Sequence, residues 1–467
     1  MIFNDDYNKS FLVLASEVDS DLNKILSNNL ILNENIFSIE FLEALIKRTS
    51  VNFLFFISTP NITISNNSLK RFLNLAASAE KKLLYSDYFF KNKTTFELIE
   101  NLTLQFGSVR NDFEFGKVIL VEKLFLEKCI SDFKMEFPEE NTLALYFLQL
   151  EAIRKNIFLR INEPLYTVSI NDKKHNSNFD YVDPKNKGQQ LLFEKIFTNY
   201  LKKIQAYLPE RKKIFVPLNN HKVKASVIIP VKNRIKTIED AIVSAISQKT
   251  NFQFNIIIVD NHSEDGTTDL IKTKFALNPK VIHLIPEERN LGIGGCWNYA
   301  IDSEHCGQFV VQLDSDDLYI NEHTLQRIVN KFEMDNSAMV IGSYNLTDFE
   351  KKILPPGLIN HDEWTDKNGH NNALRINGLG APRAFATEII RKIKFPDVSY
   401  GEDYAAVLAI TRIYKISRIY EPLYICRRWA ENSDSNISRT QKNKHDFYKD
   451  SLRTIEILSR QRLNAES

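Results

Sequence analysis

Little in this chain points to a membrane, a metal cluster or a nucleic acid. Its 467 residues hold four cysteines, Cys129, Cys296, Cys306 and Cys426, and no two form a CxxC pair. Such spacing supports neither a zinc site nor a disulfide framework, and scattered thiols suit a reduced compartment. No stretch approaches the roughly 18 uninterrupted apolar residues of a membrane span. The start, Met1-Ile2-Phe3-Asn4-Asp5-Asp6, lacks the basic region and apolar run of a secretory signal. A basic excess is missing too: 60 Lys and Arg against 59 Asp and Glu leave a formal charge of +1, whereas nucleic-acid readers usually carry a positive surplus. The expectation is a cytoplasmic protein without a nucleic-acid partner, with peripheral association at the inner face of the plasma membrane left open.

What is present is globular. Hydrophobic residues make up 43% and charged residues 25%, enough for a real core, and the length suggests two or three domains. A charge cluster flanked by prolines, Leu208-Pro209-Glu210-Arg211-Lys212-Lys213 and then Pro217, reads as a linker over 208–221. Beyond it, Ser226–Pro230, Asn255–Asp260, Lys280–Ile285 and Phe309–Asp314 are short β-branched runs. Between the first two, Ile238, Ile242, Ala245 and Ile246 share one helical face. Continuous apolar strands alternating with helices predict a mostly parallel sheet covered on both faces, with ligands at the strands' carboxyl ends. Asp260 and Asp314 stand at such ends.

The first half repeats the second. Phe53, Ile64, Leu69 and Arg71 parallel Phe309, Ile320, Leu325 and Arg327 at an offset of 256, while Phe137-Pro138 and Glu163-Pro164-Leu165-Tyr166 match Phe395-Pro396 and Glu421-Pro422-Leu423-Tyr424 at 258. Each copy then enters an amphipathic helix, striped by Phe193, Phe197, Tyr200 and Ile204 or by Tyr448, Leu452 and Ile455. The acids are not repeated. Ser58, Pro60 and Asn61 stand opposite Asp314, Asp316 and Asp317, and Ala144 and Leu145 opposite Glu402 and Asp403. The expected organisation is a degenerate, non-catalytic domain over 1–207, the linker 208–221, a catalytic domain over 222–432 and a helical tail over 433–467.

Several clusters can carry chemistry, and each has a plainer alternative. Asp314-Ser315-Asp316-Asp317 follows a strand and can bring two carboxylates onto one hard cation, or merely cap a turn. Asp260 can accept a nucleobase N–H, or cap a strand end. Asn290-Leu291-Gly292-Ile293-Gly294-Gly295 precedes a helix whose amides can approach a phosphate, although the spacing is not GxGxxG and glycines suffice for a tight turn. Glu402 and Asp403 open a helix as caps or as a general base for an acceptor hydroxyl. Arg428 can grip a diphosphate, or end a strand in solvent. His361, Asp362 and His370 share a loop but lack a third zinc ligand at sensible spacing.

Taken together, these residues from about Lys224 to Trp429 resemble family 2 glycosyltransferases, the inverting class with a GT-A fold. The resemblance implies an α/β GT-A catalytic domain with a Rossmann-like mixed sheet, preceded here by a degenerate GT-A-like domain. It implies that Pro230, Asn233, Arg234, Asp260, Asn290, Gly292, Asn298, Asp314, Ser315 and Arg428 bind a nucleotide-diphosphate sugar, with UDP the default nucleotide. Asp316 and Asp314 resemble the DxD pair holding Mn²⁺ or Mg²⁺, and Asp403, supported by Glu402, resembles the catalytic base. The acceptor would be a glycan, lipid-linked or protein-linked, in bacterial surface glycan synthesis. Trp297 stands where many relatives have Arg, and position 425 is Ile rather than the Gln of QxxRW, which argues against a processive polymerase. The alternatives are a non-catalytic nucleotide-sugar-binding scaffold and a sugar nucleotidyltransferase; the latter lacks its glycine-rich signature loop here.

Overall fold

The computed structural model describes residues 11–15, 30–32, 36–59, 61–92, 95–141, 144–169, 187–209, 221–361, 367–429, 432 and 437–466. Pro60, Asp362, residues 210–220 of the expected linker and 433–436 of the expected tail lie outside them. Two compact units result, Met1–Asn176 with Arg439–Ile455, and Ser177–Ser438 with Glu456–Ser467.

In the first unit the described strands are β1 (Phe11–Ala15), β2 (Leu30–Leu32), β3 (Phe53–Ile57), β4 (Ile62–Ile64), β5 (Leu83–Lys91), β6 (Phe96–Ile99), β7 (Val118–Glu122) and β8 (Phe158–Ser169). They form one sheet in the order β2-β1-β3-β7-β5-β8-β4, with β6 on β5. The second unit has β9 (Ala225–Val231), β10 (Phe254–Asp260), β11 (Val281–Leu284), β12 (Phe309–Gln312), β13 (Leu318–Tyr319), β14 (Met339–Asp348), β15 (Ile353–Ile359), β16 (Arg383–Ala386) and β17 (Ile416–Arg428). Their order is β11-β10-β9-β12-β16-β14-β17-β13, with β15 on β14.

Setting β1 to β8 against β9, β10 and β12 to β17 in order makes the two plans coincide, with β11 as the extra edge strand of the second. The directions agree as well. β1 runs parallel to β2 and β3 as β9 does to β10 and β12. β7 and β16 lie antiparallel to both neighbours, and β5–β8 and β14–β17 pair in parallel. Both of those long pairs are interrupted at matching places: Asp87 faces Pro164 and Tyr88 faces Tyr166, as Ser343 faces Pro422 and Tyr344 faces Tyr424. The fold is therefore present twice, and the Glu-Pro-Leu-Tyr match marks the same irregularity in each.

The sheet is parallel only across β11-β10-β9-β12; beyond β12 it is mixed. The parallel part behaves as its sequence suggests, for every residue of β10 is buried and β9 exposes only Pro230 in part. In the first unit Val13, Phe55, Phe72, Leu84, Leu120 and Tyr166 belong to one packed core. Among the described residues no helix is long and apolar enough to cross a membrane.

The terminal helices depart from expectation. Helix Lys187–Lys203 follows β8 in the chain yet belongs to the second unit, where Gln190 accepts from Arg375 at 2.8 Å and Glu194 accepts from Asn368 at 2.7 Å. Residues 439–455 of helix Arg439–Ala465 follow β17 yet belong to the first unit, where Asp450 accepts from Ser108 at 2.8 Å and Asp446 pairs with Arg110 at 3.3 Å. Each compact unit thus contains a helix that follows the other copy's last strand. The apolar stripe on Lys187–Lys203 is buried as expected. On Arg439–Ala465 Ile455 is 61% exposed, and the buried face is mostly charged, with Asp446, Asp450, Arg453, Glu456 and Arg460 beside the apolar Ile457. Charged partners across that face keep these groups paired, and buried charges persist only when paired.

Candidate active site

The carboxyl ends of β9, β10 and β12, the start of β16 and the end of β17 surround a cavity of about 700 Å³ in the second unit. Pro230, Asn233, Arg234, Asp314, Ser315, Asp316, Glu402, Asp403 and Arg428 all line it. Residues that lie up to 198 positions apart in the chain therefore meet around one space, which is where an open α/β sheet gathers its ligands.

The acidic turn sits between β12 and β13, closed by the Asp317 N–H donating to Asp314 O at 3.1 Å. Both oxygens of Asp314 accept from the Gln312 amide at 2.9 Å, and its backbone N–H donates to the Tyr424 hydroxyl at 2.8 Å. Asp316 accepts from Asn432 Nδ2 at 3.1 Å and Trp429 Nε1 at 3.3 Å, with Arg234 Nε 3.9 Å away. Asp317 turns inward, accepting from the Arg427 N–H at 2.8 Å, while Arg427 Nε donates to Asp316 O. Burial lifts the Asp314 carboxyl above its ordinary range against the pull of Arg383 and Gln312, and the charges of Asp316 and Asp403 add to the rise. Burial, with the charges of Asp316 and Asp314, lifts Asp317 further. Three acids are thus crowded into one turn where burial raises two of them, a pattern concentrated at functional sites.

Asp403 stands across the cavity in the first turn of helix Glu402–Ile413. Arg383 Nη1 pairs with Asp403 Oδ2 at 2.7 Å, and Oδ1 accepts from the Tyr404 N–H at 2.7 Å. Arg383 also feels Asp314 and Glu402, and its backbone N–H donates to Gln312 Oε1 at 3.1 Å. A chain of polar contacts therefore runs from Asp314 through Gln312 and Arg383 to Asp403. Glu402 is 9% exposed, and burial, with Asp403 beside it, pushes its carboxyl up to about 8. It keeps its proton at neutral pH, and Asp403 is the acid of this turn that Arg383 pairs.

Four expected residues lie outside the cavity wall. Asp260 is fully buried; it accepts from the Ser263 N–H and Thr268 hydroxyl, and His283 lies 3.4 Å away. Burial works against its charge, but these hydrogen bonds outweigh it and hold the carboxyl below the usual range. Asp260 builds the loop, and the adjacent Asn261 faces the cavity. The Asn261 amide donates to Leu291 O at 2.7 Å, while its Oδ1 has no hydrogen-bond partner. Asn290 is exposed, and Gly292 and Asn298 bond to the segment leading to Glu402. Trp297 is 5% exposed and packs its ring against Phe385 and Phe395 on the cavity wall.

Sequence reasoning missed Arg383, Gln312, Asn261 and Tyr424. Tyr424 was within reach, since it ends the repeated Glu-Pro-Leu-Tyr; Arg383 had no local signal, because its partner lies twenty positions away.

Fold and cavity together define a transferase of the GT-A type, with its α/β plan present twice. The profile described as Glycosyl transferase family 2 matches residues 226–391. Over 202 residues the chain is 30% identical to the glycosyltransferase TuaG of Bacillus subtilis (strain 168), assigned provisionally to teichuronic acid biosynthesis; the match spans 42% of this chain and 75% of that one. The chain belongs to glycosyltransferase family 2. It is 33% identical over 212 residues to an uncharacterized glycosyltransferase of Rickettsia bellii, spanning 45% of this chain and 29% of that relative. The crystal structure of S. aureus TarS 1-349 with UDP-GlcNAc aligns at a TM-score of 0.41 and 22% identity, over 50% of this chain and 66% of its own.

Proposed function

We propose that the second unit transfers a sugar, with inversion, from a nucleoside-diphosphate sugar to an acceptor hydroxyl in the synthesis of a bacterial surface glycan, using a divalent cation. The observation that carries this reading is that Asp314 and Asp316 share one cavity with Asp403, joined through Arg383. The glycan class rests on the Bacillus relative, whose name links it to teichuronic acid. UDP remains the default nucleotide.

The donor set suits a hard cation such as Mn²⁺ or Mg²⁺, which prefers carboxylate oxygen. Among the described residues no group of three or more His, Cys, Asp or Glu forms a finished metal cage. Asp316 and Asp314 would hold that cation. When bound, that ion supplies charge neutralisation for the departing diphosphate.

The protein's own groups do the rest. Arg234 and Arg428 flank the diphosphate position, and Asn261 Oδ1 offers a buried acceptor to a base N–H. Arg383 and the Tyr404 N–H hold the Asp403 carboxylate in one orientation, ready to take the acceptor's proton as the hydroxyl attacks behind the anomeric carbon. Protonated Glu402 spares the site a second adjacent charge. The first unit lacks acids at the matching positions, which supports a non-catalytic role, binding acceptor or partner.

Asp403→Asn tests the reading. Transfer should fall by about a thousandfold or more, the scale of losing a general base and its orientation, while UDP binding with Mn²⁺ survives. Near-wild-type turnover would remove Asp403 from the mechanism.

A further inference from the structure

Helix Ile293–Asp302 begins where its backbone touches another segment. A Cβ at Gly292 would lie 2.5 Å from the Val398 carbonyl carbon, one at Gly294 1.9 Å from Pro396 O, and one at Gly295 2.2 Å from Asp397 Oδ1, all closer than side chains tolerate. The approach is also bonded. The Gly292 N–H donates to Asp397 Oδ1 at 2.7 Å and the Gly294 N–H to Val398 O at 3.0 Å. One turn on, Asn298 grips Phe395 from both sides: its Nδ2 donates to Phe395 O at 2.7 Å, and its Oδ1 accepts from the Phe395 N–H at 3.0 Å. The rings of Trp297 and Phe395 lie 5.4 Å apart beside this clamp.

Gly292 and Gly294 at this helix start therefore give their N–H groups to protein, not to a phosphate, and neither Gly292 nor Asn298 reaches the cavity wall. The segment they hold does reach it. Phe395 and Ser399 line the cavity, and the chain turns through Gly401, at φ 78°, directly into Glu402 and Asp403. The same virtual Cβ on Gly294 would come within 3.1 Å of Glu402 Cβ.

We infer that Gly292, Gly294 and Asn298 are positioning residues: they seat the 395–401 segment and thereby place Asp403, rather than binding the donor. This rests on Asp403 being the base. A shift near 1 Å at a reacting group can cost about a hundredfold in rate, so a loosened seat should appear in kcat and not in nucleotide affinity.

The test uses the full chain, the UDP-sugar that most raises its melting temperature with Mn²⁺, and UDP release as readout. Asn298→Ala, Gly294→Ala and Asp397→Ala should each lower kcat about 10–100-fold while the UDP dissociation constant, measured by calorimetry, stays within about twofold. Asp397→Asn retains an oxygen for the Gly292 N–H and should restore most of the rate, a recovery that general destabilisation would not give. Should Asn298→Ala or Gly294→Ala fail to fold, the Asp397 pair decides. A tenfold or larger weakening of UDP binding with kcat little changed would overturn the inference and make these residues donor contacts. An active Asp403→Asn would sink the base assignment instead, so the two failures are told apart.

Discussion

The two units share strand order, strand direction and a kinked parallel pair, yet they treat polar residues oppositely. In the first, Asp87 at the kink is answered by Arg160 through two hydrogen bonds, at 3.0 and 2.7 Å. In the second, Ser343 holds that position, and the acids sit instead at the strand ends, where Asp314 and Asp317 are lifted by burial and by the neighbouring charge of Asp316. A paired buried acid is what structure alone asks for; a like-charged cluster is costly unless something else binds there. Hydrophobic plan and acidic cluster are therefore separable, and only the second copy carries both.

The largest effect expected from this comparison concerns the exchanged helices. A chain beginning at His221 carries every residue proposed for catalysis but lacks helix Lys187–Lys203, so Arg375, only 1% exposed, loses its bond to Gln190. Losing that acceptor costs about 1–3 kcal/mol, and the buried side chains of Phe193, Phe197 and Tyr200 leave with the helix, together a large share of typical domain stability. Such a chain should be insoluble or melt more than about 10 °C lower, whereas one beginning at Lys187 should not. Equal melting of the two would show that the helix is an accessory.

Next comes the acid that one copy has and the other lacks. Asp314→Asn should reduce turnover by about a hundredfold, while Ser58→Ala, at the matching exposed position, should leave it within about twofold. A comparable loss from both would mean that the first unit takes part in the reaction.

The repeated tyrosine sharpens the contrast. Tyr166 accepts the Lys117 N–H at 2.7 Å and Tyr424 accepts the Asp314 N–H at 2.8 Å. Either change to Phe orphans a buried donor, at about 1–3 kcal/mol, and thermal melts should record similar losses. Only Tyr424→Phe should also slow transfer, by about tenfold, because only there does the orphaned group belong to a site residue. A slowdown in both variants would tie activity to global stability.

Much of this was legible beforehand. The β-branched runs of β9, β10 and β12 announce buried parallel strands, and paired anchors such as Phe53 and Phe309 expose the duplication. The acids at 314, 316 and 403 were brought together by the resemblance to family 2 glycosyltransferases, each having a plainer local reading. The losses have physical causes. An apolar stripe says that a helix is buried but not by which unit, so the exchange was invisible. On Arg439–Ala465 the buried side is mostly charged, and a rule that equates burial with apolarity chose the wrong face. Asp260 offered a carboxylate at a strand end and Asn298 came with the resemblance; only coordinates reveal that their hydrogen-bonding groups are engaged within the protein.

The smallest effect separates the two acids of one turn. Burial holds the Glu402 carboxyl near 8 in the folded chain, far above the 4.5 of an unperturbed group. Below about pH 4.5 folded and unfolded forms are both protonated, and glutamate and glutamine should be nearly equivalent. Between there and pH 8 the unfolded chain ionises while the folded one does not, so wild-type stability falls. Past pH 8 both forms are charged and the loss levels off. Glu402→Gln should therefore melt close to wild type at pH 4.5 and above it by a few degrees at pH 8.5, with the gap widening across that interval. A gap that stayed flat or reversed would mean that Glu402 ionises freely, and the division of labour with Asp403 would collapse.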